Sequence, residues 1–225
     1  MKIGILTAMK KEYDQIAMLL NEKKMVDGRV PHLTGRLNGH DIVLQQCGIG
    51  KVNAAVYTSE LIRDYAPSCI VSTGVAGGID PSLHVMDVIV SDRLVHHDFF
   101  IGMGLAQGEI EGLPRFFPAA PSFVEAARAL GDPSVHIGLI CTGDQFVSSP
   151  ADLTVIKGNF PDGLAVDMES AAIAQTCYLY EVPFVSFRII SDTPGVDNHV
   201  DQYQDFWGEM TNRSFQVTRR FLESL

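Results

Sequence analysis

Two kinds of hydrophobic pattern alternate along the chain. Short runs of consecutive apolar residues are typical of buried strands, and segments whose apolar residues recur every three or four positions are typical of amphipathic helices. The predicted strands cover residues 3–6, 33–37, 42–44, 69–73, 87–91, 94–97, 135–142, 164–166 and 183–191. The predicted helices cover residues 10–20, 52–65, 122–130, 170–180 and 201–222. One more helix starts at Ser149-Pro150-Ala151-Asp152, which has a capping pattern with proline at the first helical position.

The order of these elements predicts the fold class. Strands mostly alternate with helices, apart from some consecutive strands and one hairpin at Asn38-Gly39, a strong signal for a two-residue turn. Such an order predicts an α/β fold, namely a three-layer α/β/α sandwich with a mixed, mostly parallel central sheet. The length suits a single domain, and we expect residues 1–225 to form it.

Loops that combine glycine with polar residues follow several of the predicted strands. They cover residues 48–51, 74–78, 143–147, 167–169 and 191–195. In an open α/β sheet the carboxyl ends of parallel strands face one ligand crevice, so we expect these loops to meet at the functional site.

Residues 99–120 form a long segment that is rich in Gly, Pro and Phe, and its apolar residues follow neither a helical nor a strand periodicity. Such segments are usually functional or interface loops. The aromatic residues within it more often pack a core or an oligomer interface than hold a cofactor.

Composition and charge exclude several classes of partner. The net charge is −10 and no basic run occurs, which argues against nucleic acid and anionic membrane as partners. No apolar run is long enough to span a membrane, and the apolar stretch at residues 3–6 is too short for a signal peptide. None of the four cysteines lies in a C-x-x-C pair and all adjoin apolar segments, so we expect buried, reduced thiols in a cytoplasmic protein.

Charged residues at the predicted crevice indicate acid–base chemistry. The crevice would hold Glu12, Glu169, Asp192 and Arg188. Several carboxylates beside one arginine suit work on a neutral, hydroxyl-rich substrate. Cleavage of a glycosidic bond has these needs, because its oxocarbenium-like transition state requires negative charge, a base for water and an acid for the leaving group.

Each of these residues also has a purely structural interpretation. Glu12 could be a solvated residue in the first turn of a helix, Glu169 could cap a helix N-terminus, and Asp192 could be a turn or N-cap residue. Arg188 is harder to explain in this way, because a guanidinium in an apolar strand needs a partner.

We expect no metal and no cofactor. His96-His97-Asp98 resembles a metal cluster, but adjacent residues of a strand point to opposite faces, so a single histidine could face a given site. No G-x-G-x-x-G or Walker pattern follows a predicted strand, which argues against a nucleotide cofactor.

Five segments of this chain resemble the nucleoside phosphorylase superfamily in order and spacing, and the resemblance covers nearly the whole chain. They are residues 4–12, 48–51, 74–78, 166–169 and 188–192. Met168-Glu169 and Ser191-Asp192 are the most specific of these motifs, and Glu12 marks the hydrolase branch. Within the superfamily the chain is most similar to enzymes that hydrolyse the N-glycosidic bond of 5′-methylthioadenosine and S-adenosylhomocysteine, releasing adenine and the thioribose.

The resemblance implies a role for each matching residue. Glu12 would activate the attacking water, Arg188 would help to orient the water and Glu169, and Glu169 would hold the ribose hydroxyls and stabilise the oxocarbenium. Asp192 would protonate N7 of the departing adenine. Met168 would pack beneath the sugar, Phe146 would stack on the purine and the Val147 backbone would contact its edge. The other implied substrate-binding residues are Ile49, Val75, Ala76, Gly77, Asp167, Ser191, Met103 and Tyr203.

The resemblance also implies a homodimer that acts on a small purine nucleoside, with the loop near Met103 closing the partner's site. The chain departs from the family pattern at three positions. Val75 replaces the usual Ser of the glycine turn, Asp167 replaces a Glu, and Met103 stands where the partner usually supplies an aromatic residue. The alternatives are another nucleosidase acting on futalosine, AMP or another purine nucleoside, a purine nucleoside phosphorylase, or a non-catalytic nucleoside-binding protein.

Overall fold

The computed structural model describes residues 1–28, 30–193, 199–209 and 215–224. The strands are β1 (Lys2–Thr7), β2 (Asn21–Val26), β3 (His32–Leu37), β4 (His40–Gln46), β5 (Cys69–Gly78), β6 (Val88–His96), β7 (Phe117–Pro118), β8 (Val135–Thr142), β9 (Gly163–Asp167) and β10 (Phe184–Asp192). The helices are α1 (Lys10–Leu19), α2 (Lys51–Tyr65), α3 (Pro121–Ala129), α4 (Pro150–Asn159), α5 (Ser170–Leu179), α6 (His199–Glu209) and α7 (Gln216–Ser224).

The strands form one mixed sheet, as the sequence predicted. Parallel pairs join β1 to β4 and β5, β5 to β10, and β8 to both β6 and β9. Antiparallel pairs join β2 to β3, β3 to β4, β5 to β9, β6 to β7, and β6 to β10. The chain therefore has an α/β fold with a mixed sheet.

One part of the sheet closes on itself. The pairs β5–β10, β10–β6, β6–β8, β8–β9 and β9–β5 form a complete ring, so the sheet is a closed barrel at this end rather than an open sheet throughout. Register shifts in the β6–β8, β8–β9 and β5–β10 pairs leave one extra residue in each of β6, β9 and β10. Such bulges bend a strand and increase its twist, which allows the sheet to close.

Several predicted boundaries were wrong. Residues 74–78 are not a turn but the last part of β5, because they pair with β10 and β9. The two strands predicted over 87–97 are one strand, β6, whose register shifts between Ser91 and Arg93. The exposed strand β2 was not predicted, because its NEKKMV sequence has no apolar alternation; lysines are typical of such an edge strand.

The C-terminal helix predicted over 201–222 is not continuous. Two helices, α6 and α7, occupy this part of the chain, and Phe215 lies in a turn before α7. Residues 210–214 lie outside the described residues, as do residues 194 and 195 of the predicted loop at 191–195. No helix in the part of the chain that the structure describes is long and apolar enough to cross a membrane.

Two local predictions are confirmed. Asn38 and Gly39 both have positive φ, 47° and 82°, as a two-residue hairpin turn requires. Ser149 caps α4, because its side chain accepts a hydrogen bond from the Asp152 amide at 3.1 Å, and Pro150 occupies the first turn.

We expect Ser149→Ala to destabilise the protein by about 1 kcal/mol, the usual cost of removing an N-cap side chain. The measurement is the free energy of unfolding from a denaturant titration. The control is Ser148→Ala, an exposed neighbour. Equal free energies for the two variants would contradict the capping role.

Candidate active site

A cavity of about 660 Å³, partly open to solvent, lies at the carboxyl ends of β1, β5, β9 and β10. All the predicted site residues except Arg188 and Met103 line it. The loops therefore meet as the sequence predicted, although the sheet closes into a barrel. The lining residues that sequence reasoning missed are Ala8, Met9, Gln145 and Val166.

The positions of three missed residues along the chain could have identified them as cavity residues. Ala8 and Met9 directly follow β1, and Gln145 lies within a loop that was already assigned to the crevice. Their side chains carry no acid, base or nucleophile, so a search for reactive residues passes over them.

Glu12 is buried and faces the cavity, so the interpretation as a solvated helix residue is wrong. Its Oε2 accepts hydrogen bonds from the Ala8 and Met9 amides, both at 2.9 Å, and its Oε1 accepts one from the Val75 amide at 3.0 Å. A Cβ at Gly74 would lie 2.6 Å from Oε1, so glycine at this position makes room for the carboxylate.

The pKa of Glu12 is raised above its ordinary value. Burial is the largest cause, because it disfavours the charged form, and the Arg188 charge and the three amide donors oppose it. A carboxylate with a raised pKa takes up a proton more readily than an ordinary one, which suits a general base.

Arg188 is buried behind the cavity rather than in its lining. Its Nε donates to Asp167 Oδ2 at 2.7 Å and its Nη2 donates to Ser72 Oγ at 3.0 Å. Burial alone would lower its pKa, but Asp167, Glu169 and Glu12 outweigh burial and raise it. The guanidinium is therefore a permanent positive charge among three carboxyl groups.

Asp167 lines the cavity, but contacts within the chain occupy its oxygens. Besides Arg188, it accepts a hydrogen bond from Thr142 Oγ1 at 2.5 Å and one from the Ser170 amide at 3.2 Å. The second bond satisfies an amide at the start of α5. Asp167, rather than Glu169, thus caps this helix.

Glu169 occupies the N-cap position of α5 but makes no capping bond with its side chain. Instead its Oε1 accepts a hydrogen bond from the Gly50 amide at 2.9 Å, which joins the end of β9 to the start of α2. Burial and the Asp167 charge raise the pKa of Glu169 to about 8, against the opposing effects of Arg188 and the Gly50 amide. The interpretation of Glu169 as a simple helix cap is wrong.

Asp192 ends β10 and is buried at the cavity wall. Its Oδ1 accepts a hydrogen bond from Ser191 Oγ at 2.7 Å. The carboxyl group therefore faces the same cavity as Glu12 and Glu169.

Aromatic side chains form the other side of the cavity. Phe146 and Tyr203 meet edge to face with ring centroids 5.7 Å apart, and the Tyr203 hydroxyl lies 3.7 Å from Met9 Sδ. Phe146 is half exposed and lines the cavity, so an aromatic ring forms part of its wall.

The histidine pair near β6 lies outside this cavity. His96 Nε2 contacts Gln175 Oε1 at 2.9 Å, and the His97 ring packs against Gly143, where a Cβ would lie 2.4 Å from its Nε2. In the described ranges, no group of three or more His, Cys, Asp or Glu side chains could hold a metal ion.

Met103 is 92% exposed and does not line the cavity of its own chain. Its predicted role requires a second copy of the chain. That role stays a prediction.

Known proteins are similar to this chain in sequence and in structure over most or all of its length. The family model of the phosphorylase superfamily matches residues 2–223. A 5′-methylthioadenosine/S-adenosylhomocysteine nucleosidase from Geobacillus thermodenitrificans is 41% identical over 89% of this chain and 87% of its own.

Two solved structures are similar over the whole chain. An S-adenosylhomocysteine nucleosidase from Streptococcus pyogenes, in complex with 5-methylthiotubericidin, has a TM-score of 0.94, 35% identity, and coverage of 100% of this chain and 97% of its own. A 5′-methylthioadenosine/S-adenosylhomocysteine nucleosidase from Neisseria meningitidis, in complex with methylthio-immucillin-A, has a TM-score of 0.93, 35% identity, and coverage of 100% and 99%. With matches of this extent in sequence and in structure, this chain belongs to the phosphorylase superfamily and, within it, to the family of the 5′-methylthioadenosine/S-adenosylhomocysteine nucleosidases.

Proposed function

We propose that this protein hydrolyses the N-glycosidic bond of 5′-methylthioadenosine and S-adenosylhomocysteine, releasing adenine and the thioribose. One observation carries the proposal. The buried carboxyl groups of Glu12, Glu169 and Asp192 face one cavity whose opposite side is aromatic. The names of the similar nucleosidases support the choice of substrate.

Glu12 is the base that activates water in this proposal. Three amides hold its carboxylate in place, and its raised pKa favours proton uptake. Residue 75 makes its contact with Glu12 through the backbone amide. The change from the family's Ser to Val75 therefore leaves this contact intact.

The remaining lining residues divide between the sugar and the base. Glu169 holds the ribose hydroxyls and stabilises the oxocarbenium, with Met168 beneath the sugar. Asp192 protonates N7 of the leaving adenine, because departure of an unprotonated anion is unfavourable. Phe146 stacks on the purine and the Val147 backbone contacts its edge.

Ile49, Ala76, Gly77, Ser191 and Tyr203 complete the substrate contacts in this proposal. Their position in the cavity lining supports this.

Arg188 acts through charge rather than by contact with substrate. It lies outside the cavity lining and is paired with Asp167. The engaged oxygens of Asp167 favour a role in positioning Arg188 over a direct bond to the substrate. The change from the family's Glu to Asp167 is consistent with that role, since the shorter side chain reaches the Arg188 Nε.

A phosphorylase is the weaker alternative. In the part of the chain that the structure describes, no arginine or lysine lines the cavity, and the Glu12 carboxylate would repel a phosphate.

The same proposal includes a single cytoplasmic domain, helices in two outer layers, and a homodimer. Two separate buried clusters support the layers: α2 and α5 contribute to one, and α1, α3 and α7 to the other.

Exposed apolar residues support the dimer, among them Val52 on α2 and Phe100 and Met103 in the loop over residues 99–120. The cysteines are free and buried, which is consistent with a reducing compartment.

The experiment that tests the proposed function is incubation with methylthioadenosine, adenosylhomocysteine, inosine and AMP, with and without phosphate. We expect adenine and methylthioribose to form from methylthioadenosine in phosphate-free buffer. A requirement for phosphate with a ribose 1-phosphate product would assign a phosphorylase. Absence of turnover with retained nucleoside binding would assign a binding protein.

We expect Glu12→Gln to lower kcat for methylthioadenosine by roughly 10² or more, because the proton acceptor is lost. The control is Asp14→Asn, which removes an exposed charge from the same helix. Turnover within a factor of about two of wild type would remove Glu12 from the mechanism.

Glu169→Gln should lose turnover and gain stability in the absence of ligand. The folded-state pKa of about 8 exceeds the ordinary value of 4.5, so the folded protein binds this proton more tightly than the unfolded chain does. The cost of this carboxyl group to stability therefore grows as the pH rises from about 4.5 through about 8. The glutamine removes that cost and keeps an acceptor for the Gly50 amide.

The measurement is the melting temperature of both proteins between pH 5 and pH 9. The melting temperature of Glu169→Gln should increasingly exceed that of wild type as the pH rises. Glu125→Gln, at an exposed position, is the control and should show a difference independent of pH over this range. A constant or reversed difference for Glu169→Gln would contradict the raised pKa.

A further inference from the structure

Asp98 belongs to the His96-His97-Asp98 stretch, which neither a metal site nor the proposed mechanism explains. Its carboxylate accepts two hydrogen bonds from Lys51 Nζ, at 2.6 Å and 2.8 Å, and one from the Asp144 amide at 2.9 Å. These three residues come from three separate segments of the chain: the start of α2, the turn after β6 and the loop after β8. Asp98 therefore joins the start of α2 to the loop that follows β8.

A second contact directly joins the start of α2 to the loop that follows β8. Asp144 Oδ1 accepts a hydrogen bond from the Lys51 amide at 2.8 Å, so it satisfies an otherwise unpaired amide at the N-terminus of α2. A Cβ at Gly50 would lie 3.1 Å from this oxygen. The two loops are thus in close contact, held by both an ion pair and a helix cap.

The start of α2 and the loop after β8 both adjoin residues that line the active-site cavity. The Gly50 amide, next to Lys51, donates to Glu169, and Ile49 lines the cavity. Phe146 and Val147 lie two and three residues after Asp144 and also line it. The ion pair is therefore placed to set the distance between the sugar side and the base side of the cavity.

The network is partly shielded from water. About a quarter of the Asp98 side chain and less of the Lys51 side chain are exposed, at 27% and 22%. Burial alone would raise the pKa of Asp98, but Lys51 and the Asp144 amide outweigh burial and lower it. The Asp98 carboxylate is therefore charged at neutral pH.

We propose that Lys51, Asp98 and Asp144 form a positioning network that holds the loop over residues 143–147 against α2 and thereby sets the affinity for the purine base. This inference rests on the proposed function. The network touches neither Glu12 nor Asp192, so its loss weakens base binding and leaves the chemical step nearly unchanged. The three residues are positioning residues rather than catalytic ones.

The test compares Asp98→Ala and Lys51→Met with wild type. For each protein, KM and kcat for methylthioadenosine, the Kd for free adenine, and the melting temperature are measured. We expect KM and the adenine Kd to rise together by about tenfold, because charge-assisted hydrogen bonds that are partly shielded are lost. We expect kcat to stay within about threefold of wild type.

Two further variants separate positioning from general stability. Asp132→Ala removes a carboxylate that pairs with Arg220 at 2.7 Å, and no residue of that pair lines the cavity, so it should leave the adenine Kd unchanged. The double variant Lys51→Met/Asp98→Ala should lose less affinity than the sum of the two single losses, because both variants break the same ion pair. Asp98→Glu should recover part of the adenine affinity.

The inference is overturned if KM and the adenine Kd do not change, if kcat falls while both stay constant, or if every loss follows the melting temperature. Failure of wild type to release adenine from methylthioadenosine would instead contradict the proposed function. The two failures are thus distinguished, because the first compares variants with wild type and the second concerns wild type itself.

Discussion

The ion pair between Arg188 and Asp167 is the interaction on which the site depends. Both side chains are buried, and Nε lies 2.7 Å from Oδ2. Removing a single partner from such a pair leaves an uncompensated buried charge, which is strongly destabilising. Arg188 lies on β10, Asp167 ends β9, and Ser72, the other partner of Arg188, lies on β5. The pair thus connects strands of the closed ring directly beneath the cavity.

The positive charge of Arg188 partly offsets the cost of burying the neighbouring acids, but it does not return their pKa values to the ordinary range. Glu12 and Glu169 are buried close to Arg188, yet the pKa of each is still raised, because burial outweighs the attraction. The protein therefore keeps carboxyl groups that cost stability in the absence of ligand. The burial that causes this cost also raises their affinity for protons.

The cavity also depends on close approaches that glycine alone permits. Gly74 leaves room for the Glu12 carboxylate, and Gly143 leaves room for the His97 ring. Gly50 has a φ of 96°, which favours glycine, and its amide reaches Glu169. Short loops between rigid strands and helices thus hold the acids in place, and the contact between Lys51 and Asp98 joins two of those loops.

Much of the fold and the site follows from local sequence. Apolar runs and helical periodicity identify nearly all the strands and helices, because burial of an element fixes the spacing of its apolar residues along the sequence. Asn38-Gly39 specifies its turn through positive φ, and glycine-rich strand ends mark the cavity. The motifs around Glu12, Glu169 and Asp192 resemble those of the nucleosidases, and the acids within them suit the cleavage of a glycosidic bond.

Tertiary structure alone decided the rest. Closure of the sheet depends on pairing between β5, β9 and β10, and no local pattern reports pairing between distant strands. The partner of Arg188 is Asp167, and the carboxyl group that caps α5 is likewise Asp167, because side-chain reach across the barrel decides both. Glu12 lies in an ordinary first helical turn by sequence, and only the approach of β5 buries it and raises its pKa.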